Sequence, residues 1–132
     1  MGGPFRIGKA LQEAAYFLYR QGPAFVLLKG GHYEEQEDEV IDVLFDGKKF
    51  FYYRAPRIIT RNTHGTGCTF AAAIAAHLAR GTTVPLAVKA ARAYLQAIMP
   101  HGLQLGQGHG PLDHFYCYRP EKKARENRIL WW

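Results

Sequence analysis

Cysteine is scarce in this 132-residue chain. Cys68 and Cys117 are the only two, too few for a disulfide framework and without a CxxC pair to hold a metal knuckle. No apolar run approaches the roughly 18 residues that a membrane helix needs, and the N-terminus lacks a basic segment followed by an apolar stretch. A soluble protein of a reducing cytoplasm is therefore expected. There is no GxxxxGK[ST] string, and Gly65-x-Gly67 is followed by Phe70 where a dinucleotide fingerprint needs its third glycine, which excludes Walker and Rossmann phosphate chemistry. Internal repeats and low-complexity tracts are absent too. A broad basic face is also missing. Of the formal charge of +6, half sits in residues 119–132, where Arg119, Lys122, Lys123, Arg125 and Arg128 outnumber Glu121 and Glu126. That distribution speaks against nucleic-acid binding.

What is present is the apolar content of a globular domain, 48% hydrophobic and 14% aromatic. Ile7, Leu11, Ala14, Ala15 and Leu18 recur at helical spacing before Gly22 and Pro23, which predicts a helix over 8–21. Phe25 to Leu28 reads as a strand buried on both faces, as in a parallel sheet, with Lys29, Gly30 and Gly31 at its carboxyl end, where ligand loops lie in open α/β sheets. After an acidic run (Glu34, Glu35, Glu37, Asp38, Glu39), Val40–Phe45 and Lys48–Arg54 form two strands joined by Asp46-Gly47, a two-residue hairpin turn. A helix from Thr66 to about Ala79 stops at Gly81, and Pro85 opens another carrying Val88, Ala91, Tyr94, Leu95 and Ile98. Aromatic residues 50–53 read as strand packing rather than a platform for stacked bases.

The segment Asn62-Thr63-His64-Gly65-Thr66-Gly67-Cys68-Thr69 falls where extended chain meets a helix N-terminus. Backbone N–H groups are unpaired at such a junction and the helix dipole adds partial positive charge, so a phosphate fits there, and glycine permits close approach. An ordinary glycine turn before a core helix is the alternative for so short a pattern. His109, Asp113 and His114 lie in a glycine-rich closing loop without metal-ligand spacing and read as loop structure; the metal ligands stay unassigned.

The string NTHGTGCT, preceded by LLKGGH at 27–32 and followed by LGQGHGPLDH at 105–114, resembles the hydroxymethylpyrimidine/phosphomethylpyrimidine kinases of thiamine biosynthesis, members of the ribokinase-like superfamily. The resemblance covers about residues 5–116. It implies an α/β fold, the C-terminal half of a ribokinase-like sheet with flanking helices and a β-hairpin, over 1–116, with 117–132 as a basic, aromatic tail. By resemblance, Gly65, Thr66, Gly67 and Cys68 form an anion hole for the transferring phosphoryl group. Cys68 stands where sugar kinases of the superfamily carry an aspartate base, and a helix N-terminus favours the thiolate form. Lys29 and Asn62 are implied in nucleotide binding. ATP and Mg2+ are the implied cofactors and an aminopyrimidine the acceptor, with no nucleic acid or membrane partner.

Family members are about twice as long, and their N-terminal half supplies most of the pyrimidine pocket. The chain thus reads as a fragment, an internally started product or one piece of a split gene, poor in turnover alone. An uncovered sheet edge predicts a homo-oligomer or pairing with the missing half. Three alternatives remain open: a non-catalytic phosphate-binding module, a pyridoxal kinase-like enzyme, and a Cys68/His64 hydrolase acting without ATP.

Overall fold

The computed structural model describes residues 4–30 and 38–118, which group into two units dividing between Arg57 and Ile58. The predicted acidic positions Glu34, Glu35 and Glu37, and the tail from Arg119, lie outside the described residues. No helix among the described residues is long and apolar enough to cross a membrane.

The first unit holds helix α1 (Pro4–Tyr19) and strands β1 (Val26–Leu28), β2 (Glu39–Phe45) and β3 (Phe50–Pro56). Only part of the predicted apolar stripe of α1 is buried: Leu11 and Ala15 are, one helical turn apart, whereas Ala14 and Leu18 face solvent. Leu11 packs with Ile41 and Val43, and Ala15 with Val26 and Phe45. Phe50 stacks on Phe45 at 4.3 Å between centroids, and Tyr19 meets Phe45 edge-on at 5.2 Å. Phe50 is thus half-buried strand packing against that cluster, whereas Tyr52 in the same aromatic run is exposed.

The sheet order is β1-β2-β3 and both pairings are antiparallel, with Val26 opposite Phe45 and Phe45 opposite Phe50. The expectation of a doubly covered strand in a parallel setting does not hold for β1, which lies at an edge with only Val26 buried and Leu27 and Leu28 half-buried. Three consecutive apolar residues do not encode the direction of their neighbour. The strand covered on both faces is β2, where the run Ile41–Phe45 is entirely buried. The hairpin turn also differs. It spans four residues, 46–49, because the Asp46 carboxylate accepts the amides of Lys48 (2.9 Å) and Lys49 (2.8 Å) and so draws them out of the ladder. Gly47 takes φ 88° within it.

The second unit holds α2 (Thr66–Ala79) and α3 (Val84–Ile98), with 3-10 turns at Met99–His101 and Tyr116–Tyr118. The end of α2 is a Schellman motif: Gly81, at φ 83°, donates to Leu78 O, and Thr82 donates to His77 O. Phe70 of α2 is buried, as are Ala87, Val88, Ala91, Leu95 and Ile98 of α3. The Arg92 guanidinium lies 4.9 Å over the Phe70 ring.

Candidate anion and nucleotide site

Entry into α2 is set by Gly65, which takes φ 83° and ψ 5°. A Cβ there would meet nothing within 4 Å, so the demand for glycine is conformational rather than spatial. The helix start has no side-chain cap. Thr66 donates to Thr63 O at 3.4 Å and Thr69 to Gly65 O at 2.9 Å; between them, the amides of Gly67 and Cys68 have no protein acceptor among the described residues. Two adjacent amide donors at the positive end of a 14-residue helix make an electrostatic seat for an anion.

The chain before Gly65 is laced to the closing loop. His64 forms a parallel bridge with Pro111, its amide donates to Gly110 O (3.3 Å), and the Gly110 amide donates to Arg61 O (3.2 Å). Asn62, 8% exposed, is wedged between two glycines. A Cβ on Gly102 would fall 2.3 Å from Asn62 Cβ, and one on Gly110 would fall 2.1 Å from Asn62 Oδ1 and 2.6 Å from Leu103 O. Asn62 also borders a hollow of about 410 Å³ with Thr60, Arg61, Gln104 and Leu105. The need for Gly102 and Gly110 could not be read from sequence, because Asn62, which requires them, lies 40 and 48 positions away.

Cys68 is a free, exposed thiol. It lines an open groove of about 440 Å³ with Thr69, Ala72, Ala73, Tyr94 and His114. The Tyr94 hydroxyl, on α3, lies 3.4 Å from His114 Nδ1. Burial pushes the Tyr94 phenol above its ordinary value of 10.0, and Cys117, Tyr118 and Asp113 push it further in the same direction. Asp113 accepts the Phe115 amide (3.2 Å), and His109 Nδ1 lies 3.3 Å from Thr63 Oγ1. No group of three His, Cys, Asp or Glu among the described residues is placed to hold a metal.

Asn62, Gly65, Thr66, Gly67 and Cys68 thus share one stretch of the second unit, whereas Lys29 belongs to the first. Lys29 is exposed at the carboxyl end of β1, and the next residue, Gly30, is buried. The Gly30 amide donates to Asp42 Oδ1 at 3.1 Å. Asp42, fully buried in β2, was not singled out from sequence, since one acid in a strand reads as its solvent face.

The fold is α/β and ribokinase-like, and it matches part of the solved kinases of that kind. The pyridoxal kinase of Staphylococcus aureus in complex with AMP-PCP and pyridoxal matches with TM-score 0.77 and 32% identity over 85% of this chain and 41% of that chain. The Bacillus subtilis pyridoxal kinase in its ADP complex matches with TM-score 0.75 and 35% identity over 82% and 42%. The phosphomethylpyrimidine kinase family model matches residues 2–113, and the chain belongs to that family. It is 45% identical to the hydroxymethylpyrimidine/phosphomethylpyrimidine kinase of Streptomyces coelicolor over 79% of its length, and 48% identical to the chloroplastic thiamine biosynthetic bifunctional enzyme of Arabidopsis thaliana over 91%. It spans 38% of the former and 23% of the latter.

Proposed function

We propose that residues 1–116 are the phosphate-donor half of an ATP-dependent kinase domain whose acceptor is hydroxymethylpyrimidine or its monophosphate. The observation that carries this reading is the pair of acceptor-free amides, Gly67 and Cys68, in a chain of this family. Those donors fit a phosphate, and solved relatives of similar fold are complexes with AMP-PCP and with ADP. ATP when bound, with Mg2+, supplies the transferable phosphoryl group. The Gly67 and Cys68 amides face the charge that develops on its oxygens, a preorganised stabilisation that needs no movement at the moment of reaction. Lys29 adds a point charge for the nucleotide phosphates. Cys68 Sγ takes the proton of the acceptor hydroxymethyl group. Asn62, wedged against Gly102 and Gly110, holds the segment that leads into the Gly65 turn. Neither Cys68 nor Cys117 is in a disulfide, which suits the reducing cytoplasm expected from the sequence.

The solved relatives named as pyridoxal kinases support a second acceptor, pyridoxal. The higher identity to relatives named hydroxymethylpyrimidine/phosphomethylpyrimidine kinases favours the pyrimidine. The 132-residue chain assayed alone with ATP and hydroxymethylpyrimidine is expected to turn over little or not at all, because positioning of the acceptor is a large part of such catalysis. Co-expression with the remaining N-terminal segment of the Streptomyces coelicolor relative is expected to give pyrimidine-dependent ATP consumption. Equal turnover by the chain alone would refute the assignment as a donor half, and faster turnover of pyridoxal would replace the acceptor.

A further inference from the structure

Asp42 is the one acidic residue in the buried run Ile41–Phe45, and its exposure is 0%. A carboxylate at the centre of a sheet is costly to desolvate, and valine or leucine would serve packing and strand propensity better. What it does locally is visible at the exit of β1. The β1-β2 ladder runs from Val26 opposite Phe45 to Leu28 opposite Val43, and continued in register it would set Gly30 opposite Ile41. The ladder stops at Leu28 instead. The Gly30 amide turns to Asp42 Oδ1 at 3.1 Å, and Gly30 lies so close to β2 that a Cβ on it would fall 1.9 Å from Ile41 O. Two independent features, a buried acceptor and a contact that only glycine permits, pin the chain at one point, and Lys29 is the residue between that pin and the end of the strand.

We propose that Asp42 is a positioning residue: by holding Gly30 against β2 it fixes the backbone from which Lys29 projects, and so sets how well Lys29 serves the phosphates of a bound nucleotide. This rests on the phosphoryl-transfer reading above. Asp42 touches no reactant in this account; it acts through Lys29.

The test is a mutant cycle with two readouts on the full chain: ATP dissociation constants, and hydrogen exchange at the Gly30 amide without nucleotide. Asp42→Val and Asp42→Ala both remove the acceptor, one refilling the space and the other leaving it, so either variant that folds suffices. Asp42→Asn keeps an acceptor oxygen. The acceptor-less variants are expected to speed Gly30 exchange and to weaken ATP binding by about tenfold, the scale of one charge-assisted contact. That loss should vanish in a Lys29→Met background, and Asp42→Asn should keep both properties near wild type. Losses that add fully to that of Lys29→Met, or ATP affinity unchanged when the acceptor is gone, would overturn the inference while Lys29→Met alone still upheld the kinase reading. If Lys29→Met leaves ATP binding untouched, the role of Lys29 and the inference fall together, even with Gly30 exchange accelerated.

Discussion

Replacing Gly65 by alanine isolates the contribution of the turn that opens α2. Gly65 and Gly81 bracket that helix, share φ 83°, and have nothing within 4 Å of an added Cβ, so an alanine at either site meets the same penalty for a left-handed backbone and no steric one. That penalty is about 1–2 kcal/mol. Both variants should therefore lose the same stability in thermal or denaturant unfolding. Their effects on ligand should differ. Whatever strain at position 65 is relieved by relaxing the turn rotates the first-turn amides of Gly67 and Cys68, and misdirecting one charge-assisted hydrogen bond costs roughly 1.5–3 kcal/mol, or about tenfold or more in affinity. At position 81 the same relaxation occurs at the opposite end of a 14-residue helix and leaves those amides alone. Calorimetric ATP titrations of the two purified variants decide the matter. Matched stabilities with ATP affinity reduced only in Gly65→Ala are expected, and equal ATP affinities would refute the reasoning.

Other perturbations follow from the same geometry. In Gly110→Ala the new Cβ meets Asn62 Oδ1 and Leu103 O, and overpacking should cost about 1–3 kcal/mol, whereas Gly108→Ala, with nothing within 4 Å, should stay within roughly 0.5 kcal/mol of wild type in denaturant melts. In the complemented enzyme Cys68→Ala should lower kcat by about 10²- to 10⁴-fold with little change in ATP affinity; unchanged turnover would rule Cys68 out as the base. Asp46 is held below its ordinary value of 3.8 by the amides of Lys49 and then Lys48, so its contribution to stability is present above that value and lost as pH falls through the lowered one. Asp46→Ala should accordingly lower the melting temperature near neutral pH, and the difference should disappear in acid.

Much of the fold was legible because several signals agreed. Apolar spacing, Gly81 at the end of α2 and Pro85 at the start of α3 all pointed to two helices, and Thr66–Ala79 is the predicted helix. The hairpin was legible from its β-branched and aromatic residues, but its loop length was not, since Asp46 caps two amides that a minimal turn would leave in the ladder. The direction of β1 depends on a partner more than ten residues away, which a three-residue apolar run does not specify. At the candidate site the Asn62–Cys68 segment was evident as a motif. Its supports were not. Gly102 and Gly110 matter because of Asn62, Tyr94 because of His114, and Asp42 because of Gly30, and each relation is made by tertiary contact rather than by spacing along the chain.

The central claim is that the Gly67 and Cys68 amides receive a nucleotide phosphate. It is tested most directly by following the backbone amide resonances of the 15N-labelled chain during titration with ATP and Mg2+. Saturable shifts at Gly67 and Cys68, reproduced by ADP and weakened in Gly65→Ala, are the predicted result. Saturating ATP that leaves both amides unmoved would contradict the account.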